Sequence, residues 1–411
     1  MNSLLDQLNF QNLHWGGTIY STPPYTRQLL KELQQDLSTP MICLLTGPRR
    51  TGKSILLKQL LNYLLQNQSV PSRQILFYEF SPHQPEDIIW TIYDQFTKNI
   101  TNTHLPTYLF FDEIQYINGY ETTIKLIYDQ RPNTKIFLTG SLSLSYKQKM
   151  TESLAGRFFT HRLSPLSFVE YLSLHSPDLV PSFNALTQES DPFKRTHLIS
   201  LINPHFSHFL QFGRYPEPLY TKLDTAQTQA YLTNIISQSL NQDAFNYFAI
   251  HKPQLMQSLF AYLQQNSGHE MSLTKVSNLI DTTLPTLNTY LDILEIMDLI
   301  YPVYNSISPL FHHNRNRKIY VNSAFQLVSS ATELSTALGY AAESYAYERL
   351  RAQHPQLTYY RARNKEIDFV VPAKKLAYEI KNYDLSHYSS PHSTLSTTLL
   401  TPFTNPSLLT L

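Results

Sequence analysis

Glycine, cysteine and charged residues are all scarce in this sequence, and each shortage excludes something. The 411 residues include only 10 glycines, whereas average usage of about 7% would give roughly three times as many. A single cysteine, Cys43, excludes an internal disulfide and is expected to be a small buried filler. Charged residues make up 15% and the net charge is +1, which excludes a global attraction to nucleic acid or anionic membrane.

Long apolar runs are also missing. No stretch approaches the roughly 18 uninterrupted apolar residues of a membrane span. The first residues have neither a basic segment nor an apolar core, so they do not resemble a signal peptide. We therefore expect a cytoplasmic protein without membrane contact, whose length allows two to four domains.

Two of the few glycines fall in one eight-residue segment with a recognisable pattern. Residues 47–54 fit the phosphate-binding pattern G-x-x-x-x-G-K-[ST] at every fixed position. An apolar run at 41–45 precedes them, and 55–61 follow with helical spacing, as the strand, loop and helix of such a site require. The predicted nucleotide-binding residues are Gly47, Pro48, Arg49, Arg50, Thr51, Gly52, Lys53 and Ser54.

The chemistry of this loop predicts ATP and Mg²⁺ as cofactors. Backbone N–H groups and the helix N-terminus favour phosphate. Lys53 is expected to reach the β and γ phosphates, and the Ser54 hydroxyl to ligate Mg²⁺. Arg49 and Arg50 add positive charge inside the loop.

Two carboxylates end a second apolar run, at residues 108–113. Continuous apolar runs are typical of parallel strands covered on both faces, and ligands bind at the carboxyl ends of such strands. Asp112 is therefore predicted to hold the Mg²⁺ shell, and Glu113 to polarise the water that attacks the phosphate. Ordinary solvated acids in a loop are the alternative.

A third run, residues 135–141, ends in small hydroxyl residues. In ATPases with an extra strand between the phosphate loop and the acidic strand, a polar strand tip senses the γ-phosphate. Thr139 or Ser141 would take that role here, although hydroxyl residues at strand ends are common.

The order of these segments resembles a known family. GPRRTGKS, LFFDEIQ, LTGS, AGRF and LSPLSFVEYL follow one another, as in a large group of prokaryotic AAA-type ATPases related to the STAND signalling proteins. Members carry a C-terminal domain of unknown function. Residues 213–217, GRYPE, resemble that family's GGYP segment, with Arg214 where glycine is more usual. The resemblance implies ATP hydrolysis by a P-loop fold.

The resemblance also implies a role for Arg157. It would face the γ-phosphate, either within its own chain or from a neighbouring subunit of a homo-oligomer, because charge builds on the transferred phosphoryl group. A surface ion pair with Glu152 is the alternative interpretation.

The middle of the chain predicts helices and then a helix-turn-helix. Residues 166–265 read as a helical lid. Helices at 272–280 and from about Pro285, with 300–319 as a wing, are typical of a winged helix. DNA binding would use the second helix, but no Lys or Arg lies between Lys275 and Arg315. Only the basic wing, 312–318, is left to contact phosphates, so a structural or protein-docking role is favoured.

Carboxylates near the C-terminus suggest a second site. If residues 372–375 form a four-residue hairpin turn, Val371 faces Leu376 and Asp368 faces Glu379. The pattern resembles the PD-(D/E)XK nuclease core: Glu343, Asp368 and Glu379 would bind metal, Lys381 would steady the nucleophile or the phosphate, and Arg361 would assist. The alternatives are a cross-strand ion pair of Glu366 with Lys381, or a domain that only holds a phosphate backbone or a partner.

Together these features predict an α/β P-loop NTPase sheet followed by three further parts. The expected domains are an ATPase core at 1–165, a helical lid at 166–265, a winged helix at 266–328 and a small α+β nuclease-like domain at 329–411. One function is a Mg²⁺-dependent ATPase coupled to a C-terminal module that acts on DNA or RNA. The other is an ATP-gated switch or scaffold without nuclease activity.

Overall fold

The chain folds into two units, residues 1–165 and 166–411. The structure, a computed structural model, describes residues 4–141, 156–186, 189, 191–248, 250, 252–306, 316–328, 333–362, 365–380 and 396–400. Each unit is described separately below.

The first unit is built on a five-stranded parallel sheet. Its strands are β1 (Ile42–Thr46), β2 (Ile75–Glu79), β3 (Thr107–Asp112), β4 (Thr134–Gly140) and β5 (Phe158–Arg162). Their spatial order is β2-β3-β4-β1-β5, and every pairing is parallel. Strand β4 thus lies between the strand that leads into residues 47–54 and the strand that ends in Asp112. The predicted P-loop NTPase fold, with its extra strand, is confirmed.

Helices cover both faces of this sheet. They are α1 (Leu4–Gln11), α2 (Leu29–Asp36), α3 (Lys53–Gln66), α4 (Ile88–Asn99) and α5 (Tyr120–Gln130). Alternate residues of β1 to β4 contribute to two apolar cores: Leu44 lies in the core with α4 and α5, and Leu45 in the core with α2 and α3. Because both faces are buried, the central strands read as continuous apolar runs.

The second unit begins with helices. They are α6 (Phe168–His175), α7 (Val180–Leu186), α8 (Pro192–Phe212), α9 (Pro216–Tyr220), α10 (Thr225–Gln238), α11 (Ala244–Phe248) and α12 (Pro253–Gln265). A capping box fixes the start of α6: the Ser167 side chain accepts the Glu170 N–H, and the Glu170 side chain accepts the Ser167 N–H.

Two short helices and a small sheet follow. Helices α13 (Leu273–Leu279) and α14 (Leu284–Ile296) confirm the two helices expected from the sequence, and Pro285 lies in the first turn of α14. Strands β6 (Glu270–Met271), β7 (Ile300–Val303) and β8 (Arg317–Val321) form an antiparallel sheet with β8 in the centre. The segment 307–315 between β7 and β8, with most of the basic wing, lies outside the described residues.

A long helix and a four-stranded sheet end the described chain. Helix α15 (Leu334–Gln353) precedes β9 (Thr358–Ala362), β10 (Lys365–Val371), β11 (Leu376–Ile380) and β12 (Ser396–Leu400). The sheet order is β12-β11-β10-β9; β11 and β12 are parallel and the other pairs are antiparallel. Val371 faces Leu376, which confirms the predicted hairpin register.

The lid helices and the C-terminal sheet share one apolar core. This core joins Phe168 and Phe209 of the lid to Tyr345 of α15 and Phe369 of β10. The Phe168 N–H also donates to the Tyr345 hydroxyl, 3.2 Å away. The sequence suggested separate modules at 166–265 and 329–411, but no boundary in the packing separates α6 and α8 from α15.

Among the residues that the structure describes, no helix combines the length and the apolar character needed to cross a membrane.

Candidate functional site

Residues 47–52 form a tight loop between β1 and α3. Lys53 is buried, and its Nζ donates to the carbonyl oxygens of Gly47 and Pro48, each 3.0 Å away. The amine is therefore held inside the curve of the loop, next to the N-terminus of a 14-residue helix. This is the geometry that cradles an anionic phosphate chain.

Two glycines make this loop possible. A Cβ on Gly47 would collide with the carbonyl oxygen of Leu163, which follows β5. Gly52 has a φ of 97°, a left-handed conformation that side chains disfavour. Arg50 also has a positive φ, 61°, and this strained non-glycine residue lies where functional sites often store strain.

Arg27, which the sequence analysis did not identify, stabilises the phosphate loop through hydrogen bonds. Its guanidinium is buried and donates to the Thr51 carbonyl at 2.8 Å and to the Ser164 carbonyl at 2.7 Å. It joins the phosphate loop to the segment after β5. No local pattern around residues 25–29 signals this role, because the acceptors lie 24 and 137 residues along the chain.

Asp112 lies at the end of β3, fully buried beside the phosphate loop. Burial raises the pKa of its carboxyl, and Glu113 raises it further, while hydrogen bonding by Ser54 and Thr139 and the charge of Lys53 oppose this. By the distances and angles of the described residues, its Oδ2 atom is inaccessible and accepts no hydrogen bond of normal geometry. A buried carboxylate oxygen beside a serine hydroxyl and an ammonium fits the ligand shell of a hydrated Mg²⁺.

The tip of β4 organises both acids. The Thr139 hydroxyl donates to Asp112 Oδ1 and accepts the Glu113 N–H at 3.1 Å. Gln115 donates to the Glu113 carboxylate and accepts the Ser141 N–H at 3.3 Å. The side chain of Thr139 and the backbone of Ser141 thus hold the acids in place, and Gln115 is a positioning residue that sequence patterns did not indicate.

Glu79 is a third acid at this edge. It ends β2 and is the register partner of Asp112. Burial raises the pKa of the Glu79 carboxyl, as do Asp112 and Glu113, against the charge of Lys58. The carboxyl edge of the sheet is therefore strongly acidic opposite a cationic loop, an arrangement suited to a divalent metal bound with a phosphate.

Arg157 lies far from this edge in its own chain. It immediately precedes β5, its carbonyl accepts the Ile42 N–H at 2.9 Å, and its Nε pairs with Asp129 at 3.2 Å. Because β5 runs parallel to β1, Arg157 is at the amino edge of the sheet and the phosphate loop is at the carboxyl edge. The expectation of a contact within the same chain is wrong for this reason. The alternative partner Glu152 lies outside the described residues.

The C-terminal acids are only partly arranged as a metal site. Glu343 lies on α15, and Asp368 on β10 accepts the Ile380 N–H at 2.9 Å. Glu379 is buried on β11. Lys381, the expected partner of the nucleophile, lies outside the described residues. Arg361 pairs with Glu270 and Glu366, at 3.6 Å from each.

A buried lysine lies among these carboxylates. Lys318 Nζ is 2.7 Å from Glu366, 3.6 Å from Asp368 and 3.9 Å from Glu343, and its side chain is 3% exposed. Burial would lower the pKa of this lysine, but the three carboxylates outweigh it and the pKa is raised. The cluster therefore already contains its own cation, which the sequence placed in an exposed wing.

Glu343 has an unusual protonation equilibrium. Burial and the nearby Asp368 raise the pKa of its carboxyl to about 8, against the charge of Lys318 and a hydrogen bond from Tyr320, whose hydroxyl is 2.6 Å away. Burial also raises the pKa of Glu366, but the hydrogen bond and charge of Lys318 reverse this, so its pKa is lowered. Lys318 thus stabilises the charge on Glu366 while Glu343 tends to remain protonated.

Arg317, which was expected in the exposed basic wing, is also buried. It is 1% exposed and donates to the Tyr304 hydroxyl and the Asn288 amide oxygen, each 2.9 Å away. The expectation that the whole segment 312–318 is available for a phosphate backbone is therefore wrong for Arg317 and Lys318. Both lie on the central strand of a sheet, where their side chains point into packed surfaces.

The first unit has the five-stranded parallel sheet of a P-loop NTPase fold. In agreement, residues 39–172 match the family described as the AAA domain. Residues 203–352 match a domain of unknown function, DUF8612.

Several known proteins are similar to this chain. An uncharacterized protein of Haemophilus influenzae is 25% identical over 66% of this chain, which spans 64% of that relative's length. An uncharacterized protein of Methanocaldococcus jannaschii is 22% identical over 83% of this chain and 74% of its own length. A Walker-type ATPase of Pyrococcus abyssi has a TM-score of 0.44 at 18% identity, covering 77% of this chain and 99% of that structure. The Aeropyrum pernix Orc1 protein, solved in complex with DNA, has a TM-score of 0.33 at 15% identity over 80% and 95%.

Proposed function

We propose that this protein binds ATP with Mg²⁺ and hydrolyses it. The observation that carries the proposal is the Asp112 carboxylate, fully buried, held by Thr139 and adjacent to Ser54 and Lys53 of the phosphate loop. A bare carboxylate is costly to bury unless it is paired or binds a metal. Mg²⁺, when bound, would neutralise charge on the phosphates.

The chain's own residues have distinct parts in this proposal. The loop amides and Lys53 would hold the β and γ phosphates, and Ser54 and Asp112 would hold the ligand shell of the metal. Glu113, positioned by Gln115, orients a water molecule and accepts its proton. Thr139 maintains the spacing between the two acids.

Calorimetry and steady-state turnover test this function. Wild-type protein should bind ATP in the presence of Mg²⁺, and Lys53→Ala should abolish that binding. Glu113→Gln should keep ATP binding and lose about 10²–10⁴-fold in turnover, the usual contribution of a general base. Lys98→Ala, an exposed lysine of the same unit, is the matched control. Absence of ATP affinity in the wild type, or unchanged affinity in Lys53→Ala, would refute the proposal.

Arg157 is proposed to act on a neighbouring subunit of a homo-oligomer, since its position at the amino edge excludes its own phosphate loop. Mixing Lys53→Ala with Arg157→Ala chains tests this. If the site is shared between subunits, mixing should restore part of the ATP turnover, because the intact phosphate loop of an Arg157→Ala chain can then lie next to the intact Arg157 of a Lys53→Ala chain. No recovery in an oligomer of mixed chains would contradict the role.

For the C-terminal module, we favour an ATP-gated switch or scaffold over a nuclease. Lys318 pairs with Glu366 and also lies within 4 Å of Asp368 and Glu343, and a divalent metal would have to displace this buried ammonium. Arg317 and Lys318 are buried and α14 contains no Lys or Arg, so this part of the described chain offers a nucleic acid few cations.

The alternative, a nuclease-like module that acts on DNA or RNA, makes opposite predictions. The switch predicts ATP-dependent oligomerisation without stimulation by nucleic acid. Cleavage of DNA or RNA with Mg²⁺ or Mn²⁺, lost in Asp368→Asn and Glu379→Ala, would establish the nuclease instead. Strong stimulation of ATP turnover by DNA would also count against the switch.

A further inference from the structure

A compact group of three metal-ligand side chains lies in the first unit, away from the phosphate loop. We propose that Asp36, Cys43 and His161 form a binding site for Zn²⁺ or a similar thiophilic divalent transition metal. Their ligand atoms all lie within 4.8 Å of one another. Carboxylate oxygen, thiolate sulfur and imidazole nitrogen are the donors that Zn²⁺ takes in proteins.

The fold brings these residues together from three elements. Cys43 is on β1 and His161 on β5, where His161 is the register partner of Leu45. Cys43 and Leu45 point to the same face of the sheet, so the imidazole stands diagonally next to the thiol. Asp36 is the last residue of α2, which packs on that face. The sequence alone could not indicate this site, because its members are separated by up to 125 residues.

The distances are close to those of a coordination shell. Asp36 Oδ2 is 2.5 Å from His161 Nε2 and 3.5 Å from Cys43 Sγ. Tetrahedral Zn²⁺ with bonds of about 2.0–2.3 Å sets its ligand atoms about 3.3–3.8 Å apart. The sulfur–oxygen pair already meets this spacing, and the nitrogen–oxygen pair needs to open by about 1 Å. The side chains of Asp36 and His161 are 15% and 13% exposed, so an ion can reach them from solvent.

Glu32 completes the arrangement behind the imidazole. Its Oε2 is 3.6 Å from His161 Nδ1, on the side opposite Asp36. A carboxylate that accepts the other ring N–H orients a ligating histidine and makes it a better donor. A simple histidine–aspartate hydrogen bond does not require this second carboxylate or the neighbouring thiol.

The charges at the site also favour a cation. Asp36 is the last residue of α2, whose last turn has no basic residue, and the helix dipole adds negative potential there. Glu32 lies one turn before Asp36 on the same helix. Lys135 is the facing cation: its Nζ donates to the Thr39 and Met41 carbonyls, at 3.0 and 2.5 Å, and interacts with Cys43. Two carboxylates and a thiolate balance one divalent ion plus Lys135. Metal binding forms the sulfur–metal bond and releases the thiol proton to solvent.

The lone cysteine gives the proposal a direct test in the full-length protein. Co²⁺ bound at this site should give a thiolate-to-metal charge-transfer band, and Cys43 is the only thiol in the chain. Cys43→Ser should remove the band. Glu32→Gln should keep the band and lower the affinity about 10–100-fold, as loss of an outer carboxylate does. His161→Ala should lower the affinity more than Glu32→Gln, and His104→Ala, an exposed histidine, should change nothing.

Competition of Co²⁺ with Zn²⁺, and denaturation with and without Zn²⁺, complete the experiment. Zn²⁺ should displace Co²⁺ stoichiometrically and so remove the band. Zn²⁺ should also raise the urea midpoint of the first unit, which tryptophan fluorescence reports because both tryptophans of the chain, Trp15 and Trp90, lie in that unit. The wild-type spectrum decides the matter even if a variant fails to fold. Absence of the band in wild-type protein, or Zn²⁺ binding that Cys43→Ser leaves unchanged, would overturn the proposal.

Discussion

Removing the ammonium of Lys318 should destabilise the second unit by about 3 kcal/mol at neutral pH. Breaking a buried ion pair by deleting one partner costs about 3–5 kcal/mol. We take the lower end of this energy range because Glu366 is 41% exposed, so water can solvate its charge after the lysine is removed. Asp368 and Glu343 are only 15% and 20% exposed, so their carboxyls remain largely unsolvated. Lys318→Met keeps the aliphatic stem and deletes only the charge.

The loss should depend on pH with a defined sign. Without Lys318, the pKa of Glu366 is no longer lowered by the ammonium, and the pKa of Glu343 rises further above its ordinary value. The folded state then binds more protons than the unfolded state, so its stability rises as pH falls. We expect about 3 kcal/mol of destabilisation near pH 7.5 and about 1 kcal/mol near pH 5.

Two spectroscopic signals make this measurable in the whole protein. Both tryptophans are in the first unit, so urea unfolding followed by tryptophan fluorescence should not change, whereas the circular dichroism transition of the second unit should shift. Lys275→Met, an exposed lysine of that unit, is the control. Mn²⁺ should partly restore Lys318→Met and leave wild type unaffected, because only the variant has an uncompensated acid cluster. An unshifted transition, or a shift that is the same at both pH values, would refute the reasoning.

Three further changes test other parts of the second unit. Ser167→Ala removes the capping box of α6 and should cost about 1 kcal/mol in urea unfolding; an equal loss in the mid-helix control Ser173→Ala would contradict the capping argument. Arg214→Leu breaks a buried pair with Glu348 and should cost about 3–5 kcal/mol by circular dichroism, whereas the double change with Glu348→Leu should recover most of it; no recovery would count against the ion pair. The pKa of Glu343 is raised to about 8 in the folded state. The free energy of unfolding should therefore fall as the pH rises from about 4.5 to about 8, by at most about 1.4 kcal/mol per pH unit. Glu343→Gln should remove this pH dependence, and an unchanged slope in the variant would show that other groups cause it.

The sequence predicted best where chemistry and local structure coincide. The phosphate-binding segment is a strand, a six-residue loop and a helix in direct succession, so its sequence pattern contains its own structural context. Two acids that end a fully apolar strand require a specific environment, and Asp112 does lie buried at the end of β3; its role as a metal ligand stays a prediction. The predicted hairpin register at Val371 and Leu376 followed from turn length alone.

The sequence failed where strand direction or distant partners decide the environment. Arg157 was expected near the phosphates, but the parallel pairing of β5 with β1 places it at the other edge. Lys318 was read as an exposed cation, as most lysines are. Its partners Glu343, Glu366 and Asp368 are 25 to 50 residues further along, and no local pattern connects them. Arg27 was missed for the same reason.

The apolar core common to the lid and the C-terminal sheet has a consequence for how this polypeptide can be divided. Tyr345 packs against Phe206 and Phe209 of α8, and its hydroxyl accepts a hydrogen bond from the Phe168 N–H. Cutting the chain before α15 would expose apolar surface on both resulting fragments rather than release an independently folded domain. Deletion and domain-swap experiments should therefore keep residues 166–411 intact.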